Sequence, residues 1–163
     1  CKSDKFDAIV RDATELGASR VVPVFAERSV ARPADGRTAR WRKIAIEAAR
    51  QCGRGDALAI SSPMDLVDAV PLFASGEGVV GFCLDPAAPT PLGPALLDLN
   101  ADVELAFVVG PEGGLTAEEI DACTTAGLAR VSLGPLTLRA ETVCAAVLGA
   151  VSVLAGVGVK RTS

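Results

Sequence analysis

The apolar positions in the first part of the chain recur at helical spacing. Phe6, Ile9, Val10, Ala13 and Leu16 share one face of residues 2–16, and Gly17 follows as a C-terminal stop. Residues 20–25 read as a strand and residues 29–36 as a loop rich in Arg and Pro. A second helix is predicted over 38–52, with Trp41, Ile44, Ala45, Ala48 and Ala49 inward and Arg40, Lys43, Glu47 and Arg50 largely outward; Gly53 and Gly55 end it. Residues 57–61 form a short strand, and Ser62-Pro63 then fits a helix N-cap followed by proline at the first helical position.

The second half alternates an apolar run, a turn and a helix three times. Residues 79–84, 103–109 and 129–133 are apolar on both faces, as strands covered by helices on both sides must be, so the alternation implies a parallel sheet. Thr116 and Glu119 make a capping box that starts a helix ending near Gly127. The last helix is predicted from about 139 to 157, and residues 85–94 form a long Pro-rich crossing segment. The predicted class is therefore α/β, a mainly parallel sheet with helices on both faces. No internal repeat or low-complexity linker divides the 163 residues, which form a single predicted domain.

Half of the residues are hydrophobic and 22% are charged, which excludes a disordered chain. There is no His, so imidazole bases, histidine triads and His-containing zinc sites are excluded. The five Cys stand at 1, 52, 83, 123 and 144 without a C-x-x-C pair, which reads as small buried residues in a reducing compartment, with no metal site. The first five residues are unlike a signal-peptide core, so a cytoplasmic location is expected. The apolar stretch 142–159 is only marginally long enough for a membrane span, and a buried helix at a subunit interface fits it better. Val143, Val147, Ala150, Val151 and Leu154 give that helix more apolar surface than one small domain covers, which predicts a symmetric homodimer.

The net charge of −4 hides an asymmetry. Residues 20–54 carry a net +6, whereas residues 55–129 contain no Lys or Arg and carry −12. Such blocks are commonly solvated faces; here they also allow one face to take a polyanion while another repels it.

In an open parallel sheet, ligands bind beyond the carboxyl ends of the strands. Three loops lie there: Leu84-Asp85-Pro86, residues 110–114, and residues 134–138 leading into Arg139-Ala140-Glu141-Thr142. Glycines at 110, 113, 114 and 134 let backbone approach a ligand, but neither the dinucleotide fingerprint nor the P-loop pattern is present. The run Phe107-Val108-Val109-Gly110-Pro111-Glu112-Gly113-Gly114-Leu115-Thr116, with Glu118-Glu119-Ile120, Leu133-Gly134 and Leu138-Arg139-Ala140-Glu141-Thr142, closely resembles the RsmE-type branch of the SPOUT RNA methyltransferases. Residues 12–17, Glu27-Arg28-Ser29, residues 40–44 and residues 47–54 resemble that branch's other motifs, in order. Ala140 departs from the Thr usual there, as do Pro135 and Leu136 from Arg or Lys and Ile.

The resemblance implies a dimeric enzyme with a deep trefoil knot near the C-terminus, using S-adenosylmethionine to methylate N3 of a uridine in small-subunit ribosomal RNA. It also implies a preceding PUA-like RNA-binding domain, so the chain is expected to be a catalytic domain. Cofactor contacts are expected at Leu84, Gly110, Pro111, Glu112, Gly113, Leu133, Gly134 and Leu138. RNA contacts are expected at Arg28, Arg32, Arg40, Arg42 and Arg54. Arg139 is the candidate cation that stabilises the uridine anion, with Glu141 or Glu112 taking the proton. Plainer roles compete: Arg139 and Glu141 as a structural ion pair, and Glu112 as a brace for its loop. A ribose 2′-O-methyltransferase of a sister branch, which usually has Asn where Pro111 stands, and a non-catalytic RNA-binding or dimerisation module are the alternative functions.

Overall fold

The computed structural model describes residues 3–29, 36–74, 78–99 and 103–154. Arg32, most of the loop 29–36, Cys1 and the expected end of the last helix lie outside the described residues. Helix α1 (Ser3–Glu15) is followed by β1 (Arg20–Val21), β2 (Val24–Phe25), α2 (Arg37–Cys52), β3 (Ala59–Ile60) and β4 (Met64–Asp65). Then come α3 (Leu66–Ala69), continued by a 3-10 turn Val70–Phe73, β5 (Val79–Leu84), α4 (Leu92–Leu97), β6 (Glu104–Val109), α5 (Ala117–Thr125), β7 (Ala129–Val131) and α6 (Ala140–Leu154).

Among the described residues every strand pair is parallel. β5 is central, with β6 on one side in the register Val79↔Glu104 to Leu84↔Val109 and β7 on the other from Phe82↔Ala129. The period of two sorts β5 onto two cores. Phe82 and Leu84 pack with Leu92 and Leu96 of α4 and Val147 and Val151 of α6, whereas Cys83 packs with Val108, Leu66, Val70 and Cys123 on the α3–α5 side. Helices thus cover both faces, as the uninterrupted apolar runs require, and Phe82 stacks on its register partner Phe107 at 5.4 Å. A third cluster joins α1 to α2 through Val10, Ala13, Trp41 and Ala45, with Leu148 of α6 against it.

The predicted strand 20–25 is broken in two. Pro23 has no N–H for the ladder, and opposite Val22-Pro23 the partner strand carries three residues, Ser61, Ser62 and Pro63, because the register moves from Val21↔Ile60 to Val24↔Met64. Ser62-Pro63 is therefore a bulge rather than the expected helix start; the helix begins after Asp65. The crossing segment is shorter than expected, since α4 starts at Leu92. Residue 91 bridges Ser132, which replaces the predicted end of the third strand run with a single pairing to the crossing segment.

The capping box is present as expected: Thr116 Oγ1 accepts from Glu119 N–H and Glu119 Oε2 accepts from Thr116 N–H at 2.8 Å. Glu119 is buried, and its other oxygen accepts Glu27 N–H at 2.7 Å, 92 residues away in sequence. Glu119→Ala leaves both donors unpaired and is expected to destabilise the fold by about 2 kcal/mol. An unchanged urea midpoint would show that this bridge contributes nothing.

Candidate active site

The three loops at the carboxyl ends of β5, β6 and β7 meet around a cavity of about 260 Å³. Leu84, Gly110, Pro111, Glu112, Leu133, Gly134 and Leu138 line it; Gly113 stands between two lining residues, and Ala140 and Val143 close it from α6. Seven of the eight expected cofactor contacts are thus brought to one cavity by strands that are 20 or more residues apart in sequence. Its walls combine apolar side chains with turn backbone, the composition of a small-molecule site.

Each loop is shaped by specific contacts. A Cβ on Gly110 would stand 3.0 Å from Leu115 Cγ and 3.2 Å from Leu115 N, so only glycine lets the chain turn back there. The turn is closed by Gly114 N–H donating to Pro111 O at 2.8 Å, with Gly114 at φ +72°. Asp85 caps the first loop by accepting Ala87 N–H at 2.9 Å, and Arg130 Nε donates to its other oxygen at 2.6 Å. That pair ties the end of β5 to β7. Asp85 is legible in the sequence only as a member of its loop, because its partner Arg130 lies 45 positions away.

Glu112 meets Lys5 Nζ at 2.6 Å, which holds its carboxyl below the usual carboxylate range. An ionised carboxylate already engaged by an ammonium is a poor proton acceptor, so the geometry favours the bracing role. Glu141 is different. Its Oε2 is buried without a hydrogen-bond partner, and no ion pair joins it to Arg139 among the described residues. Arg139 is exposed at the head of α6, where its carbonyl accepts Val143 N–H at 2.9 Å. Neither Arg139 nor Glu141 lines the cavity; they flank Ala140, which does. One turn further, burial pushes the Cys144 thiol up to about 11, so it stays protonated at neutral pH.

The expected RNA contacts do not form one uniform patch. Arg42 is exposed, and Arg40 is 63% exposed although its Nε donates to Asp7 at 2.9 Å. Arg54 is only 7% exposed: Nη1 donates to Thr14 O at 2.8 Å and Ala18 O at 2.9 Å, and the rest of the guanidinium faces Asp56. It caps the end of α1, and its donors are taken, which removes the geometry for the expected phosphate contact. Arg28 is exposed but lies along the loop that lines the cavity. Among the described residues no cluster of His, Cys, Asp or Glu is placed to hold a metal, and no helix is long and apolar enough to cross a membrane.

The chain is similar to known proteins. The chain is 32% identical over 153 residues to the ribosomal RNA small subunit methyltransferase E of a Synechocystis strain, covering 94% of this chain and 50% of that protein. It is 37% identical over 151 residues to the protein of the same name from Aquifex aeolicus, covering 91% and 61%. The crystal structure of the Neisseria gonorrhoeae ribosomal RNA small subunit methyltransferase E bound to S-adenosyl methionine superposes with a TM-score of 0.82 at 30% identity, over 93% of this chain and 61% of that one. The chain thus spans half to about three-fifths of the length of these relatives. A family profile for the RNA methyltransferase domain matches residues 1–152, and with the three loops gathered at one cavity, this chain belongs to the RNA methyltransferase domain family.

Proposed function

We propose that this chain is the S-adenosylmethionine-dependent catalytic domain of a cytoplasmic enzyme that methylates N3 of a uridine in small-subunit ribosomal RNA. The observation that carries the reading is the convergence of the three loops after β5, β6 and β7 on one cavity, closed by Ala140, which stands between Arg139 and Glu141 in the chain. The cavity fits such a cofactor: Leu84, Leu133 and Leu138 offer apolar walls for a purine, and the glycine turns bring backbone polar groups to it. When bound, the cofactor supplies an electrophilic methyl group on a sulfonium.

The protein's own groups address the nucleophile. Uridine N3 bears an imide proton and attacks only once that proton leaves. In this proposal Glu141 takes the proton, and Arg139 stabilises the charge that then spreads onto the flanking carbonyl oxygens. With both ligands bound, the loops would position N3 to take the methyl group as its bond to sulfur breaks, leaving the neutral thioether.

Three further features belong to the same proposal. The knot is supported by the path of α6, which leaves from edge strand β7 yet packs on β6 and α1 beyond the far side of β5. Val147 and Val151 are taken by this chain's own core, with Val143 and Ala150 packed against it, so the surplus apolar surface expected of α6 is reduced, and the proposed homodimer rests on Val153, which is 80% exposed. Of the expected RNA contacts, Arg40 and Arg42 are the exposed cations of α2 proposed to face RNA, Arg54 is engaged within the fold, and Arg32 lies outside the described residues.

Titration calorimetry tests the reading. The chain is expected to bind S-adenosylmethionine or its demethylated product without metal or RNA, and to sediment as a dimer at micromolar concentration. A folded sample giving no heat with either compound up to millimolar concentration would remove the methyltransferase assignment.

A further inference from the structure

The loop that forms one wall of the cavity is gripped from the other half of the chain. Arg28 Nη1 donates to Gly113 O at 3.0 Å across 85 residues of sequence. A Cβ on Gly113 would stand 3.1 Å from Arg28 Cβ and 3.5 Å from its Cδ, so the stem of Arg28 lies along the glycine as its head caps the carbonyl. The same side chain borders the cavity, and its charge helps hold the Glu118 carboxyl below the ordinary range, behind the local backbone and Thr116 hydrogen bonds.

The segment that presents Arg28 is itself fixed. Ala26 N–H donates to Ser29 Oγ at 3.0 Å and Ser29 N–H donates to Ala26 O at 2.9 Å, closing a turn around residues 27 and 28. Glu27 N–H is held by the buried Glu119. A rigid turn thus aims a long, forked cation at the tip of a glycine-rich loop.

We infer that Arg28 is a positioning residue of the cofactor pocket, a latch that holds residues 110–114 in the shape that lines the cavity, and not one of the phosphate contacts of the RNA face. Gly110, Gly113 and Gly114 leave this loop with more conformational freedom to lose than other residues would. A charge-assisted hydrogen bond to its carbonyl removes part of that freedom before a ligand arrives, which lowers the ordering cost of binding. The inference takes the pocket to be the S-adenosylmethionine site proposed above.

Arg28→Met tests it, because the stem remains on Gly113 while every donor is lost. In the ligand-free chain, amides of residues 113–115 are expected to exchange with solvent several-fold faster than in the wild type. The Kd for S-adenosylhomocysteine is expected to rise by roughly tenfold, and Arg28→Lys, which keeps a donor, is expected to recover part of the loss. Adding Gly113→Ala to Arg28→Met is expected to cost less than the product of the two single effects, since both disturb one contact. Unchanged exchange at 113–115 in Arg28→Met overturns the latch. So does an unchanged Kd accompanied by weaker rRNA binding whose salt slope falls by about one, which would make Arg28 a phosphate contact. A wild-type chain that binds neither cofactor form would instead sink the methyltransferase reading, and the exchange measurement would still decide the latch.

Discussion

Replacing Arg139 by Ala in the full-length enzyme is expected to cut turnover on rRNA by roughly two to three powers of ten while leaving cofactor affinity within a few-fold, the usual scale for losing one electrostatic stabiliser. The residue stands exposed at the head of α6, one position from cavity-lining Ala140, and no ion pair holds it among the described residues. S-adenosylmethionine carries a net positive charge, so a guanidinium near its sulfonium gains nothing from the cofactor. The uridine anion is a different matter, because its charge exists in the reacting state and is absent from the resting substrate. Glu141→Gln is expected to lower turnover as well, with partial rescue at high pH, where the N3 proton leaves without help. If Arg139→Ala instead abolishes cofactor binding, or unfolds the protein with normal turnover per folded site, Arg139 is a structural anchor.

The second large effect is on stability. Arg54→Met is expected to destabilise the fold by about 3 kcal/mol, because it deprives Thr14 O and Ala18 O of the donors that satisfy them at the end of α1 and leaves a buried site without its charge-assisted bonds. The methionine fills the volume of the stem and donates nothing. Asp56 also loses the guanidinium that hydrogen-bonds it and holds its carboxyl low, but it is solvent-exposed and this adds little. Urea denaturation reads the loss, and Arg54→Lys, with one compact donor group, is expected to fall between. The salt slope of rRNA binding should not move. Wild-type stability with a reduced slope would return Arg54 to the RNA face.

Arg28, Arg54 and Arg139 show where sequence reasoning about this protein stops. All three lie in motifs legible in the chain, and all three are basic, yet one grips a glycine loop, one caps a helix in a nearly closed site and one stands open beside a cavity. The residue type states what a side chain can do. The partners that arrive from 36 to 85 positions away decide what it does.

Much of the second half was determined locally. The run Val79–Leu84 has the same bounds in sequence and structure because strand length and two-sided burial are written in consecutive apolar residues, and the Thr116–Glu119 capping box needs only four positions to form. The glycines of the 110–114 turn were likewise visible, since the close return of the backbone at Gly110 and the positive φ of Gly114 both favour glycine. The broken strand at Pro23 was not, because a bulge exists only relative to the register of its partner. Nor were the Lys5–Glu112 pair or the second bond of Glu119 to Glu27, which join segments 107 and 92 residues apart. Helices, strands and turn glycines follow from short-range sterics and burial patterns carried by neighbouring residues. The engagement of each charge depends on which distant segment packs against it, and that is settled only when the parallel sheet brings the loops of β5, β6 and β7 to one end of the molecule.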